Sequence, residues 1–162
     1  MKVLVFGHSG QGATELRARA SSTLKIETMG RDRVDLSNPQ ACAAVVDNTD
    51  ADAIVNAAAY TAVDRAETEE PLALTVNATA PGAMARAAAV RNLPFLHIST
   101  DYVFDGQGTV PRSPDDLAAP LSAYGRTKLA GEQAIRAAGG PHLILRTPWA
   151  VLVPGQKFVQ TQ

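Results

Sequence analysis

Tyr124 and Lys128 stand four residues apart in Tyr124-Gly125-Arg126-Thr127-Lys128. If that stretch is helical, both side chains share one face. A free phenol ionises near pH 10 and is a poor acid–base group at neutrality. A neighbouring ammonium favours the phenolate and is expected to lower that pKa. Thr100 follows the apolar run Phe95–Ser99 and offers a hydroxyl that can donate to a carbonyl oxygen. A threonine, a phenol and an ammonium together suit proton delivery to a carbonyl oxygen as it becomes an alcohol. A tyrosine and a lysine at this spacing are common by themselves, and alone they describe a surface tyrosine beside a helical lysine.

The pairing gains weight from the N-terminus. There the apolar run Lys2–Phe6 leads into Gly7-His8-Ser9-Gly10-Gln11-Gly12-Ala13. Glycines between a strand and a helix allow a tight turn and let the backbone approach a pyrophosphate. The helix start adds free N–H groups and a partial positive charge. The spacing Gly7-x-x-Gly10-x-x-Ala13 is the variant with alanine last. Such a loop holds a dinucleotide, which supplies the hydride that the proton donor lacks, and an oxidised nicotinamide would further favour the phenolate. The second strand ends in Thr28-Met29-Gly30-Arg31-Asp32-Arg33. Arginine there suits a 2′-phosphate, with Arg31 ahead of Arg33, so NADPH is expected and NADH is the alternative. Asp35-Leu36 follows, and the Asp35 carboxylate is placed to accept from an adenine amino group.

These residues must be positioned by alternating elements. Strands are predicted at Lys2–Phe6, Leu24–Met29, Ala53–Asn56, Phe95–Ser99 and His142–Thr147, several of them apolar throughout, as parallel strands buried on both faces are. Helices are predicted from about Gly10 to Ala20, from near Asn38 with Pro39 at the first position, over Ala62 to Arg91 with a break near Pro71, and from about Ser122 to Ala138. The last stops at Gly139-Gly140-Pro141. The order predicts an α/β fold, a doubly wound Rossmann-type parallel sheet with helices on both faces. Asp101 to Leu121 is predicted to be one long loop, rich in glycine and proline.

Composition bounds the rest. The chain has 162 residues, 46% apolar and 19% charged, with a net charge of −1. That suits one domain and excludes a nucleic-acid protein that relies on bulk positive charge. Its 29 alanines favour helices packed closely on a sheet. No apolar run approaches the roughly 20 residues of a membrane span, so no membrane partner is expected. The single cysteine, Cys42, excludes an internal disulfide framework and fits a reducing cytoplasm. His8, His97 and His142 show no metal-ligand spacing.

The ordered blocks Gly7 to Gln11, Val55 to Asp64, Ala66-Glu67, Asn77-Ala78, Ser99 to Gly106, Tyr124 to Glu132 and Arg146 to Trp149 cover nearly the whole chain. They resemble the extended short-chain dehydrogenase/reductase family, and within it the reductases of dTDP-linked 4-keto-6-deoxysugars. The Ala62-Val63-Asp64 and Ser99-Thr100-Asp101-Tyr102-Val103-Phe104 blocks are specific to that group. The resemblance implies NADPH-dependent reduction of dTDP-4-dehydro-L-rhamnose to dTDP-L-rhamnose, with Thr100, Tyr124 and Lys128 as the catalytic set. It implies that Gly7, Gly10, Gln11, Gly12, Ala57, Ala58, Ala59, Tyr60 and Ser99 line the cofactor, while Lys128 also holds its nicotinamide ribose. Thr61, Val63, Thr100, Asp101, Tyr102 and Trp149 would meet the dTDP-sugar substrate.

Two departures stand out. Family members run to nearly twice this length, so residues 1–162 read as the NAD(P)-binding part without the C-terminal substrate domain. Pro148 stands where the family usually has a hydroxyl residue before the tryptophan. Some relatives bind Mg2+ through glutamates at a dimer interface, and Glu15 matches the first such position. A lone glutamate on a first helix reads as a solvated residue, so no metal is expected, while a homodimer is. Asp64 and Glu67 read equally as helix-start charges or as functional carboxylates. Two other readings stay open. One is a non-catalytic NADP-binding regulatory subunit similar to that of methionine adenosyltransferase. The other is a sugar-nucleotide epimerase or dehydratase, against which the Gly10-Gln11-Gly12 loop counts.

Overall fold

The computed structural model describes residues 1–148. Five strands form one wholly parallel sheet: β1 (Lys2–Phe6), β2 (Lys25–Met29), β3 (Ala53–Asn56), β4 (Phe95–Thr100) and β5 (His142–Thr147), in the order β2-β1-β3-β4-β5. The order reverses between β1 and β3, and ligands of open α/β sheets bind beyond the strand ends at such a reversal. Register carries this further. Phe6 lies opposite Asn56, and Asn56 opposite His97, so three strand ends arrive side by side.

Strand alternation assigns each face. Leu4, Phe6, Ile54 and Phe95 belong to the larger core, with α2 (Pro39–Asn48), α5 (Ala80–Val90) and Ile135 of α6 (Ala123–Ala137) against them. Val3, Val5 and Val55 face the other way, onto Ala13 and Leu16 of α1 (Gln11–Ala18). Asn38 caps α2 by accepting from the Ala41 N–H at 3.0 Å, with Pro39 at the first position. Ser122 caps α6 by accepting from the Gly125 N–H at 3.1 Å.

The third helical region is broken near Pro71, as expected, and the break falls just before the proline. The chain forms α3 (Val63–Ala66), pauses at 67–69, and restarts as α4 (Glu70–Leu74) with Pro71 in its first turn. A proline there loses nothing, because that N–H has no helical partner anyway. A π-turn over Thr75–Thr79 then joins α4 to α5 without interruption. The loop after β4 opens with a short 3-10 turn, Asp101–Val103.

The π-turn is fixed from outside. Gly131 of α6 lies so close to it that a Cβ would overlap the carbonyl oxygen of Asn77. Gly131→Ala is therefore expected to destabilise the fold by about 1–3 kcal/mol through overpacking. Thermal denaturation checks this, and an unchanged Tm would show that α6 can back away freely.

No helix among the described residues is long and apolar enough to cross a membrane.

Candidate functional site

The turn after β1 needs glycine at its first position. Gly7 has φ +118°, and its N–H donates to the Met29 carbonyl at 2.8 Å, which ties the loop to the end of β2. The loop delivers the chain to Gly10, which precedes α1 with extended backbone and no side-chain cap. The first amide hydrogens of α1 therefore have no helical acceptor and remain available to an anion.

A groove runs over these strand ends as two adjoining cavities. One, of about 370 Å3, is lined by Gly7, Gly10, Arg31, Asp35, Leu36 and Ala57–Ala59 among others. The next, of about 390 Å3, is lined by Gln11, Thr61, Val63, Ser99, Thr100, Tyr124 and Lys128, and shares Ala57, Ala58 and Ala59 with the first. Loop glycines, arginine, threonine, phenol and ammonium from five segments of the chain thus border two adjoining cavities. Arg31 stands at the open end, its side chain 83% exposed and 3.8 Å from Asp35.

Some expected residues lie elsewhere. Gly12 does not line the groove. It is the second residue of α1 and faces the Ala57 methyl, which a Cβ there would approach to 3.6 Å. Tyr60 lies between the lining residues Ala59 and Thr61, with its hydroxyl donating to Glu69 at 2.5 Å. Asp101 and Tyr102 border a neighbouring cavity of about 280 Å3 with Phe104 and Leu121. Trp149 lies outside the described residues. Glu67 accepts from the Ala123 N–H at 2.8 Å, a tie at the start of α6. Glu15 pairs with Arg19 at 2.6 Å on the surface. No cluster of potential metal ligands occurs among the described residues.

Within the groove, Lys128 is almost wholly buried. Its Nζ donates to the Ile98 carbonyl at 2.6 Å and lies 3.1 Å from His97 Nε2. Burial lowers its pKa to about 8, against a small opposing pull from Glu132. Tyr124 packs edge-on against Tyr102, ring centres 5.7 Å apart at 76°. The phenol sits above its ordinary pKa. Burial is the largest cause, the facing Thr100 hydroxyl pulls it down, and Asp101 and Tyr102 push it up. The expected depression by Lys128 is absent, because that amine is directed to Ile98 and His97.

A testable pH dependence follows. The Lys128 amine ionises at 10.5 in its ordinary state and at about 8 when folded. Between those values the unfolded chain holds the proton and the folded chain does not, so stability rises with pH across that window. The full cost, about 3 kcal/mol, is present below pH 8. Tyr124 ends the window from above, since its raised pKa makes stability fall beyond pH 10. Urea denaturation at pH 7.5 and 9.5 is expected to show the rise, and Lys128→Met to flatten it. An equal rise in the variant would assign it to another group.

Three contributors escaped sequence reading. Asn56 and His97 are fully buried polar residues in apolar strands, and that mismatch was the available signal. Asn77 accepts from the Tyr60 N–H at 2.8 Å and donates to Thr127 Oγ1 at 3.1 Å, joining the groove loop to α6.

The RmlD substrate binding domain family matches residues 1–162. The chain is 44% identical over 160 residues to the dTDP-4-dehydrorhamnose reductase of Sinorhizobium fredii, covering 99% of this chain and 54% of that protein. Among solved structures, the dTDP-4-dehydrorhamnose reductase of Clostridium acetobutylicum superposes with a TM-score of 0.87 at 35% identity, over 92% of this chain and 54% of that one. The Bacillus anthracis enzyme in complex with NADP gives a TM-score of 0.86 at 32% identity, over 91% and 53%. The chain thus spans about half the length of the curated relatives it matches.

Proposed function

The chain belongs to the RmlD substrate binding domain family, and from that premise we propose that it carries the cofactor-binding and proton-donating part of an NADPH-dependent dTDP-4-dehydrorhamnose reductase. The observation that carries this reading is that the cavity bordered by Thr100, Tyr124 and Lys128 adjoins the one at the Gly7–Gly10 loop, with Ala57–Ala59 and Thr61 lining both.

The residues fit a dinucleotide. The left-handed Gly7 turn and the uncapped start of α1 offer backbone amides to a pyrophosphate. Gln11 stands beside them. Arg31 would meet a 2′-phosphate, with NADH the alternative, and Asp35 with Leu36 the adenine. Ala57, Ala58 and Ala59 have side chains small enough to floor the groove. When bound, the nicotinamide supplies the hydride. Thr100 donates to the sugar carbonyl oxygen and holds it against Tyr124. Tyr124 gives that oxygen its phenolic proton, and the raised pKa keeps the phenol protonated at neutral pH. Lys128 would hold the nicotinamide ribose. Thr61, Val63, Asp101, Tyr102 and Trp149 would meet the deoxysugar, and Ser99 the cofactor side. NADP named in the B. anthracis complex supports the choice of cofactor. We place the reaction in the cytoplasm and the chain in a homodimer. β5 supports the second point, being an edge strand with Leu143 and Leu145 52% and 39% exposed.

The test is NADPH oxidation by the purified chain given dTDP-4-dehydrorhamnose, alongside a fluorescence titration with NADPH and light scattering for the dimer. Consumption of NADPH in step with the sugar establishes the reductase. Binding without turnover makes the chain a cofactor-binding module instead. No binding overturns the reading of the Gly7 loop.

A further inference from the structure

Arg17 is a cation beside the groove with no part in the reaction so far. It lies near the end of α1, and helical side chains lean toward the N-terminus of their helix. The guanidinium therefore reaches back to the glycine loop, where it stands 3.2 Å from His8 Nε2. A guanidinium can only donate, so Nε2 accepts. In the neutral ring the proton is then on Nδ1, which donates to Thr28 Oγ1 at 2.9 Å. Thr28 lies near the end of β2, opposite Val5. Gly30 leaves room for this contact, since a Cβ there would stand 3.3 Å from the His8 Cβ.

Arg17 thus rests on a ring nitrogen while the carboxylates around it are engaged elsewhere. Glu15 pairs with Arg19 at 2.6 Å, and Glu27 pairs with Lys2 at 3.0 Å and Arg33 at 3.2 Å. Asp35 accepts from the Ser37 N–H at 2.8 Å and lies 3.8 Å from Arg31. His8, Gly30 and Arg31 all line the cavity at the Gly7–Gly10 loop. His8 therefore brings Arg17 to the end of the groove where a Rossmann site receives the adenosine ribose.

We propose that Arg17 is a specificity-determining residue that selects NADPH over NADH by pairing with the 2′-phosphate, with Thr28 and His8 as the positioning residues that carry it there. The proposal rests on the functional reading above in taking the groove as a dinucleotide site. It adds that the choice of dinucleotide is made from α1 and not only from the turn after β2. To meet a phosphate, Arg31 must leave Asp35, whereas Arg17 exchanges a neutral acceptor for an anionic one. Both of its contacts with His8 use the same nitrogen, which leaves the rest of the fork for phosphate oxygens. Held in this way, the guanidinium loses less freedom on binding than a solvated one. Asp32 is the competing group. It lies beside Gly30, and a carboxylate at this end of a groove accepts from a ribose 2′-hydroxyl and favours NADH.

Fluorescence titrations with NADPH and with NADH, on the parent chain and on Arg17→Met, separate the two. Methionine is a good helix former, so α1 is preserved. The parent is expected to bind NADPH more tightly. Arg17→Met is expected to lose about 10-fold or more in NADPH affinity, as the loss of a hydrogen bond between charged groups does, and to keep its NADH affinity within about twofold. Arg17→Lys keeps the charge without the fork and is expected to fall between. Displacement of NADPH by 2′,5′-ADP and by 5′-ADP isolates the phosphate, and the advantage of 2′,5′-ADP is expected to vanish in Arg17→Met. Equal losses for both dinucleotides would make Arg17 a structural support of the loop and overturn the proposal. An unchanged NADPH affinity in Arg17→Met would do the same, as would a parent chain that prefers NADH and loses it in Asp32→Asn. A chain that binds both dinucleotides alike sinks the proposal and leaves the functional reading standing, whereas a chain that binds neither sinks both.

Discussion

Tyr124→Phe is expected to lower NADPH-dependent turnover by about 10^2- to 10^4-fold, the usual worth of a positioned acid, while NADPH affinity stays within about twofold. The change deletes one oxygen. The ring keeps its edge-on contact with Tyr102, so the start of α6 should not move, and the Thr100 hydroxyl, which we propose holds the sugar carbonyl, remains. The loss should fall on kcat far more than on KM, because the proton is transferred only in the transition state. Direction matters here. Reduction needs the phenol protonated, and the phenol lies above its ordinary pKa because it is buried. Turnover limited by this group is therefore present through neutral pH and lost as pH rises through its pKa. Steady-state kinetics of the two proteins decide the point. A variant retaining a tenth of the parental rate would remove Tyr124 from the role of proton donor.

The same residue shows where sequence reading succeeds and where it stops. Tyr124 and Lys128 share a helix because Ser122 caps it and Gly139 follows it, both visible in the chain. β1, β3 and β5 have the bounds their apolar runs predict, and β2 and β4 differ by one residue each. Such elements are legible because local pattern and tertiary demand agree. Spacing and resemblance both make Lys128 the partner of Tyr124. Its long side chain has other choices, and the Ile98 carbonyl and His97 are reached only once β4 is in place beneath α6. The π-turn at Thr75–Thr79 is likewise tertiary. It places Asn77 between the Tyr60 backbone and Thr127, at a helix contact that only glycine at 131 permits. The partner of the Tyr60 hydroxyl, Glu69, is also set by how α3 and α4 fold back on each other. The contacts of Lys128 and Asn77 were hidden because their partners are distant in sequence.

Glu132→Ala is expected to be the most destabilising single change in the site region, by about 3–5 kcal/mol, as removing one partner of a buried ion pair is. Glu132 is fully buried one helical turn beyond Lys128. Arg146 meets it with two hydrogen bonds, of 2.9 Å and 2.7 Å, and Ser99 donates a third at 2.6 Å. Burial by itself would raise this carboxyl, yet the hydrogen bonds from Arg146 and Ser99 outweigh it and hold the pKa below its ordinary value. By linkage that stability is present above about pH 4.5 and is lost as pH falls through the lowered folded value. Alanine would leave Arg146 and Ser99 without their acceptor. It would also loosen the loop after β4, since Arg146 lies 4.9 Å over the Phe104 ring and donates to the Pro114 carbonyl at 3.0 Å. A fall in Tm of roughly 10 °C at neutral pH is the expected reading for a chain of this size. Arg146→Met tests the pairing itself. If the two residues act as one unit, the double variant loses far less than the sum of the singles, as groups sharing one ion pair do. Strictly additive losses, or a loss under about 1 kcal/mol for Glu132→Ala, would mean that solvent reaches Glu132 and that α6 is anchored to the sheet by apolar contact alone. Lys128 would then owe its placement to His97 and the Ile98 carbonyl, with no contribution from the turn that follows it.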